Sequence, residues 1–112
     1  YKKSSANKII IVGGDFMADS LTDNNCYFSN NGGKTWERPK IPPHGYRSCV
    51  EFLNKETIVT CGLNGVDYSF DGGKNFYSIS KEGFNVCRYA RLGNTVYLAG
   101  GNGKIGKLVW PD

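Results

Sequence analysis

The sequence predicts an all-β chain of short hairpins, and three observations carry that expectation. Its apolar runs are brief and rich in β-branched and aromatic residues, which suit a pleated, half-buried surface. Gly-Gly, Asn-Gly and Asp-Gly pairs return roughly every eight to twelve residues, each suited to a tight turn with positive φ. No window of about a dozen residues holds a helical period.

In chain order, the runs are IIIV from Ile9, CYF from Cys26, TIVTC from Thr57, VDYSF from Val66, TVYLA from Thr95 and KLVW from Lys107. Gly, Asn, Asp or Pro bounds each of them, so each reads as a strand entering or leaving a turn. The longest uninterrupted apolar run, at Ile9, is far too short for a membrane-spanning helix. No charged-then-apolar leader with a small-residue cleavage site is visible after Tyr1. With 112 residues, 15 of them Gly, there is room for one domain and not for two.

The net charge of +4 leans on the last third of the chain, which holds five basic against two acidic residues and no block of consecutive Lys or Arg. A nucleic-acid partner is therefore not expected. Cys26, Cys49, Cys61 and Cys87 show no CxxC spacing and His44 is the sole histidine, so no metal site is expected either. Four cysteines would allow three disulfide pairings in an oxidising compartment, but each sits in a strand-like run, and the leading reading is a small buried hydrophobe.

Internal repetition organises these strands. At an offset of 38, YRSCVEFLNKETIVTCGLNG from Tyr46 aligns without gaps on FNVCRYARLGNTVYLAGGNG from Phe84. Cys49/Cys87, Thr57/Thr95, Gly62/Gly100, Asn64/Asn102 and Gly65/Gly103 are identical. At an offset of 40, the octet SNNGGKTW from Ser29 answers SFDGGKNF from Ser69. The offsets differ because the loop holding Pro39, Pro42 and Pro43 is two residues longer than its partner around Ser80 and Lys81. IIIVGG from Ile9 is an earlier copy of the Gly-ended strand, followed by an inserted loop at 15–25. The repeat is thus about 40 residues, with units at 8–45, 46–83 and 84–110.

The octets resemble the Asp-box, or BNR, motif, Ser-x-Asp-x-Gly-x-x-Trp. Ser29, Asn31, Gly33 and Trp36 fill its positions in one copy, and Ser69, Asp71, Gly73 and Phe76 in the other. The hydroxyl and carboxylate bond turn N–H groups, the glycine takes positive φ, and the aromatic ring tucks beneath. Asn31 departs from the motif but still accepts hydrogen bonds, and Phe76 keeps the packing without the indole donor.

On these motifs the chain is similar to sialidase-like and photosystem II assembly-factor-like propellers, within the WD40/YVTN-like class. The resemblance implies four-stranded antiparallel blades. Segments 48–53 and 86–91 become innermost strands, and 9–12, 57–61 and 95–99 second strands. Segments 26–29, 66–70 and 105–109 become third strands, and 35–38 and 75–78 outer ones. That makes about two and a half blades, fewer than a ring needs. The expectation is the C-terminal part of a longer propeller; the other arrangement is a homodimer closing a ring of about five blades. A secreted or periplasmic location is implied by resemblance alone.

Candidate chemistry is sparse. Propellers bind ligands where inner strands converge, which singles out Tyr46, Arg47, Glu51, Arg88 and Tyr89. Arg47 and Arg88 near one axis would grip a carboxylate, a phosphate or an acidic peptide. A sialidase-like site needs an arginine cluster, a Tyr–Glu pair and an acid-base Asp; residues of those types occur, but no local motif places two carboxylates together. The G-x-G-x-x-G at 101–106 lacks a following helix and reads as a hairpin, so the oxidoreductase label sometimes given to such chains finds no cofactor site. His44 reads as a loop residue. Asp15, Asp19, Asp23 and Asn24 offer oxygens without the regular spacing of a calcium loop. The leading reading is a non-catalytic binding or assembly module for a protein or carbohydrate partner, with no cofactor. A glycosidase fragment is the alternative, and redox chemistry comes third.

Overall fold

Side chains alternate across a strand, so a strand buried on every residue must be covered from both sides. The run Ile58–Gly62 is such a strand, buried throughout. The computed structural model, which describes residues 2–3, 7–15, 17, 22, 24–90 and 94–109, shows what covers it. Three antiparallel sheets stack in chain order, and they do not close into a barrel among the described residues. The first is β1 (Lys2–Lys3), β2 (Ile9–Val12) and β3 (Cys26–Ser29). The second is β4 (Cys49–Phe52), β5 (Ile58–Gly62), β6 (Gly65–Ser69) and β7 (Tyr77–Ser80). The third is β8 (Val86–Ala90), β9 (Thr95–Ala99) and β10 (Ile105–Val109). Each strand pairs with its neighbours in chain order. This is the all-β, propeller-like arrangement of blades that the sequence predicts.

The middle sheet is covered on both faces. On one side Val50, Ile58 and Phe76 meet Ile10 and Cys26 of the first sheet. On the other, Val59, Cys61 and Val66 meet Phe84, Cys87, Val96 and Leu98 of the third. Each such side chain contributes on the order of 1.5–3 kcal/mol by leaving water, so these two seams hold the stack together. The far face of the third sheet has no such cover among the described residues, and there Tyr97 is 49%, Val109 63% and Ile105 78% exposed.

Three differences from the expected strands have local causes. Lys2–Lys3 forms an inner strand against β2, so the first sheet begins one strand earlier than the apolar pattern suggests; two lysines carry no readable period. Segment 35–38 makes one bridge, Phe28 to Glu37, rather than a strand. Pro39 has no N–H to continue it, and Lys40 instead donates to the Lys74 carbonyl at 2.7 Å. The outer strand of the second sheet starts at Tyr77, because Asn75 is already paired with Ile41 and a register shift follows between Val66 and Asp67.

The gapless offset of 38 also needs correction in the innermost strands. Cys49 stands opposite Cys61, but Val86, not Cys87, stands opposite Ala99. The hairpins β8–β9 and β9–β10 are each one residue longer than β4–β5 and β5–β6: Tyr89 pairs Val96 where Phe52 pairs Ile58, and Ala99 pairs Ile105 where Cys61 pairs Val66. Cys49 and Cys87 therefore point to opposite faces of their own sheets. Since those sheets are neighbours, the two residues face each other.

Both octets form the same turn. Ser69 Oγ accepts from Gly73 N at 3.0 Å and donates to Asp71 Oδ1 at 2.8 Å. That oxygen also accepts from Lys74 N and Asn75 N at 3.0 and 2.9 Å. Ser29 likewise accepts from Gly33 N at 2.9 Å, and Asn31 Oδ1 accepts from Thr35 N at 2.9 Å. Gly73, at φ +100°, needs its glycine for that backbone, and a Cβ there would touch Ile10 and Ile58 at 3.4 and 3.6 Å, so its turn seats on the seam. The aromatic positions differ. Phe76 is fully buried in the first seam, whereas Trp36 is 41% exposed beside Gly33.

Two outcomes follow from these turns. Phe76→Ala should lower unfolding free energy by about 3–5 kcal/mol, and Trp36→Ala by about 1 kcal/mol or less, as read by urea titration. The Asp71 carboxyl is held below the usual carboxylate range: burial opposes this, and hydrogen bonds from Asn75, Ser69 and Lys74 outweigh it. With a folded pKa below the unfolded value of about 3.9, its contribution is present above that value and is lost as pH falls through the folded one. The urea midpoint should therefore drop between about pH 5 and pH 3, and Asp71→Asn should flatten part of that drop.

Candidate functional site

Of the candidate residues, Glu51, Arg88 and Tyr89 lie on the inner strands β4 and β8, which are side by side but belong to different sheets. An inner strand has one edge without a ladder partner, and its backbone groups must be satisfied otherwise. Side chains do this for β8. Ser48 Oγ donates to the Asn85 carbonyl at 2.6 Å, and the Glu51 carboxylate accepts from Tyr89 N at 3.1 Å. Arg88 bends round the same edge, and its Nη1 donates to the Cys87 carbonyl at 3.2 Å. The Tyr89 hydroxyl donates to Asn94 Oδ1 at 3.1 Å. Glu51, Tyr89 and Arg88 are thus brought together, and all three serve the open edge of β8. Ser48, Asn85 and Arg88 remain exposed.

Arg47 is elsewhere. It is 1% exposed, its Nε donates to Asp67 Oδ2 at 2.8 Å and its Nη2 lies 2.6 Å from the same oxygen. Nη1 donates to the Tyr46 carbonyl at 3.0 Å and to Asn64 Oδ1. The expected grip by Arg47 and Arg88 acting together is therefore not assembled: a guanidinium buried against a carboxylate is fully committed. Half-buried Tyr46 supplies its carbonyl to that network. Asp67 was hidden inside VDYSF, although an acid in an apolar run signals a buried partner. It also receives His44 N at 3.0 Å, and His44 Nδ1 lies 2.8 Å from its other oxygen. His44 is thus the tether of the proline-rich loop to β6. Asp15 and Asn24 do not gather a metal-binding group, and Asp19, Asp23 and Arg91 lie outside the described residues.

The third sheet fills the same place differently. Arg47 N donates to Gly13 O and Phe84 N to Gly62 O, each at the end of the preceding sheet's second strand. Phe84 therefore stands where Arg47 does. Gly106, opposite Leu98, stands where Asp67 does opposite Thr60. A Cβ on Gly106 would come within 2.7 Å of the Phe84 ring. One repeat uses an ion pair, the next an aromatic ring packed on glycine.

A second cluster forms where Cys49 and Cys87 meet. As a thiol, Cys49 donates to the Cys87 carbonyl at 3.3 Å; ionised, it accepts from the Cys87 thiol and from Arg88 Nη1, which lies 3.6 Å from its sulfur. The Cys87 thiol and the Arg88 guanidinium pull the Cys49 pKa down to about 5 against the effect of burial. Cys87 is pushed far up by hydrogen bonds with Cys49 and Cys61 and by burial, and Cys26 rises to about 12 by burial alone. Clefts among the described residues are lined by other side chains. One, of about 280 Å³, is lined by Asn24, Asn25, Arg38 and Pro42; the other, of about 190 Å³, lies between Ile79 and Leu108.

The two fillings predict a thermodynamic cycle. Asp67→Gly should cost about 3–5 kcal/mol by leaving Arg47 buried without its carboxylate. Arg47→Phe strands Asp67 in turn. The double variant Arg47→Phe/Asp67→Gly reproduces the Phe84–Gly106 filling and should recover at least about 2 kcal/mol over the sum of the singles in urea unfolding.

No family model matches the chain, and no solved structure matches it. It is 31% identical over 70 residues to a vacuolar protein sorting/targeting protein 10 from Neurospora crassa, a match covering 56% of this chain. The chain spans about 4% of the length of that relative.

Proposed function

We propose that the three repeat units are propeller blades, that the octets are Asp-boxes pinning their outer turns, and that the chain acts as a non-catalytic module binding an acidic stretch of a partner protein. The observation that carries this reading is a row of side chains across the third sheet. Arg88, Tyr97 and Lys107 stand directly opposite one another on β8, β9 and β10 and are all exposed. Lys107 beside Tyr97, with the exposed Arg88 at the inner edge where one guanidinium nitrogen bonds the Cys87 carbonyl, suits a carboxylate-bearing segment through charge-assisted hydrogen bonds and ring contact. Ser48 and Asn85 extend the polar margin toward the inner edge, while Glu51 and Tyr89 fix the position of Arg88 by holding the β8 edge. The buried Arg47–Asp67 pair belongs to the second sheet and is not part of this surface. The similarity to a protein named for sorting and targeting supports a protein partner over a carbohydrate.

A fluorescein-labelled acidic peptide tests this by anisotropy at low and physiological salt. Binding should weaken with salt, and Arg88→Glu should weaken it about tenfold. The urea unfolding free energy of that variant should fall by only about 1 kcal/mol, the loss of the Arg88 bond to the Cys87 carbonyl. Anisotropy indifferent to both salt and Arg88→Glu overturns the reading, as does turnover of aryl glycosides by the parent chain.

A further inference from the structure

We propose that Cys49 is a site of oxidation by hydroperoxides and that Cys87 resolves it into a disulfide joining the second and third sheets. The argument rests on placement. Cys49 is half-buried on an inner strand, so small oxidants reach it, whereas Cys26, Cys61 and Cys87 are buried. Arg88 Nη1 lies 3.6 Å from its sulfur and supplies the positive field a thiolate needs. Cys87 faces it from the neighbouring sheet: its carbonyl lies 3.3 Å from the Cys49 sulfur, and its own thiol points into the same seam, 3.9 Å from the Val59 carbonyl. That meeting exists because the longer hairpins of the third sheet put Cys87 on the face looking back at β4.

The chemistry balances with the hydroperoxide as oxidant. The Cys49 thiolate attacks the terminal peroxide oxygen, an S–O bond forms as the O–O bond breaks, and the alkoxide leaves and takes a proton from water. Cys49 is then a sulfenic acid. The Cys87 sulfur attacks that sulfur, an S–S bond forms as the S–O bond breaks, and the departing hydroxide takes the Cys87 proton and leaves as water. Two thiols have lost two electrons, and the peroxide has accepted them. Glu51 on β4 stands on the same face as Cys49 and accepts from Tyr89 N. It is the nearby negative charge that Arg88 must outweigh.

The test needs no variant at first. The folded chain is treated with about one equivalent of hydrogen peroxide, remaining thiols are alkylated, and peptides are mapped by mass spectrometry. A Cys49–Cys87 disulfide should form while Cys26 and Cys61 stay alkylated. Cys87→Ser keeps the volume and should leave Cys49 as a sulfenic acid trapped by dimedone. Arg88→Gln should slow Cys49 oxidation about threefold or more. Oxidation of all four cysteines at one rate, a Cys49–Cys61 bond, or a Cys49 inert where free glutathione is consumed would each overturn the proposal.

Discussion

A sheet apolar on both faces is stable only between two others, and the rest of this molecule follows from that requirement. β5 is buried at every residue because one face meets Ile10 and Cys26 and the other meets Cys87 and Val96. Stacking in chain order satisfies this with short connections, and the loops cross each seam to pin it. The Lys40 and Phe76 backbone bonds carry one such loop past the octet turn, and Asp67 anchors the same loop through His44. Because the inner strands come together edge to edge rather than in a ladder, their open backbone groups fall to side chains. Polar residues on β4 and β8 therefore have structural work before any functional work.

The sequence shows the octet turns because their chemistry is local. The hydroxyl and the carboxyl or amide two residues on bond within their own turn, and the glycines there take positive φ. The second strands are equally legible, since β-branched runs ended by Gly carry their own boundaries. What the repeat alignment hides is register. An extra residue in each of two hairpins leaves most identities in place while turning an inner strand over. The pairing of Cys49 with Cys87 as equivalents was thus a coincidence of counting, and their meeting across a seam is a matter of tertiary packing.

The candidate site was legible as a region and not as a set of roles. Arg88 could be placed on an inner strand from the repeat, but the contrast between Arg47 and Arg88 depends on Asp67, a residue on another strand. Asp67 read as part of an apolar run because its neighbours Val66, Tyr68 and Phe70 dominate the pattern. Lys2–Lys3 shows the opposite limit, where a strand is made by its partner rather than by its own residues.

The exchange of Arg47–Asp67 for Phe84–Gly106 bears on how such repeats diverge. The two fillings occupy one location, but no single substitution converts one into the other without stranding a charge or overfilling the space against a ring. A copied repeat therefore inherits its filling as a linked pair. Drift from one to the other must pass through a variant near the threshold of folding, unless neighbouring repeats carry stability to spare. Copies of one repeat can thus stay chemically distinct at a buried position for reasons of packing alone.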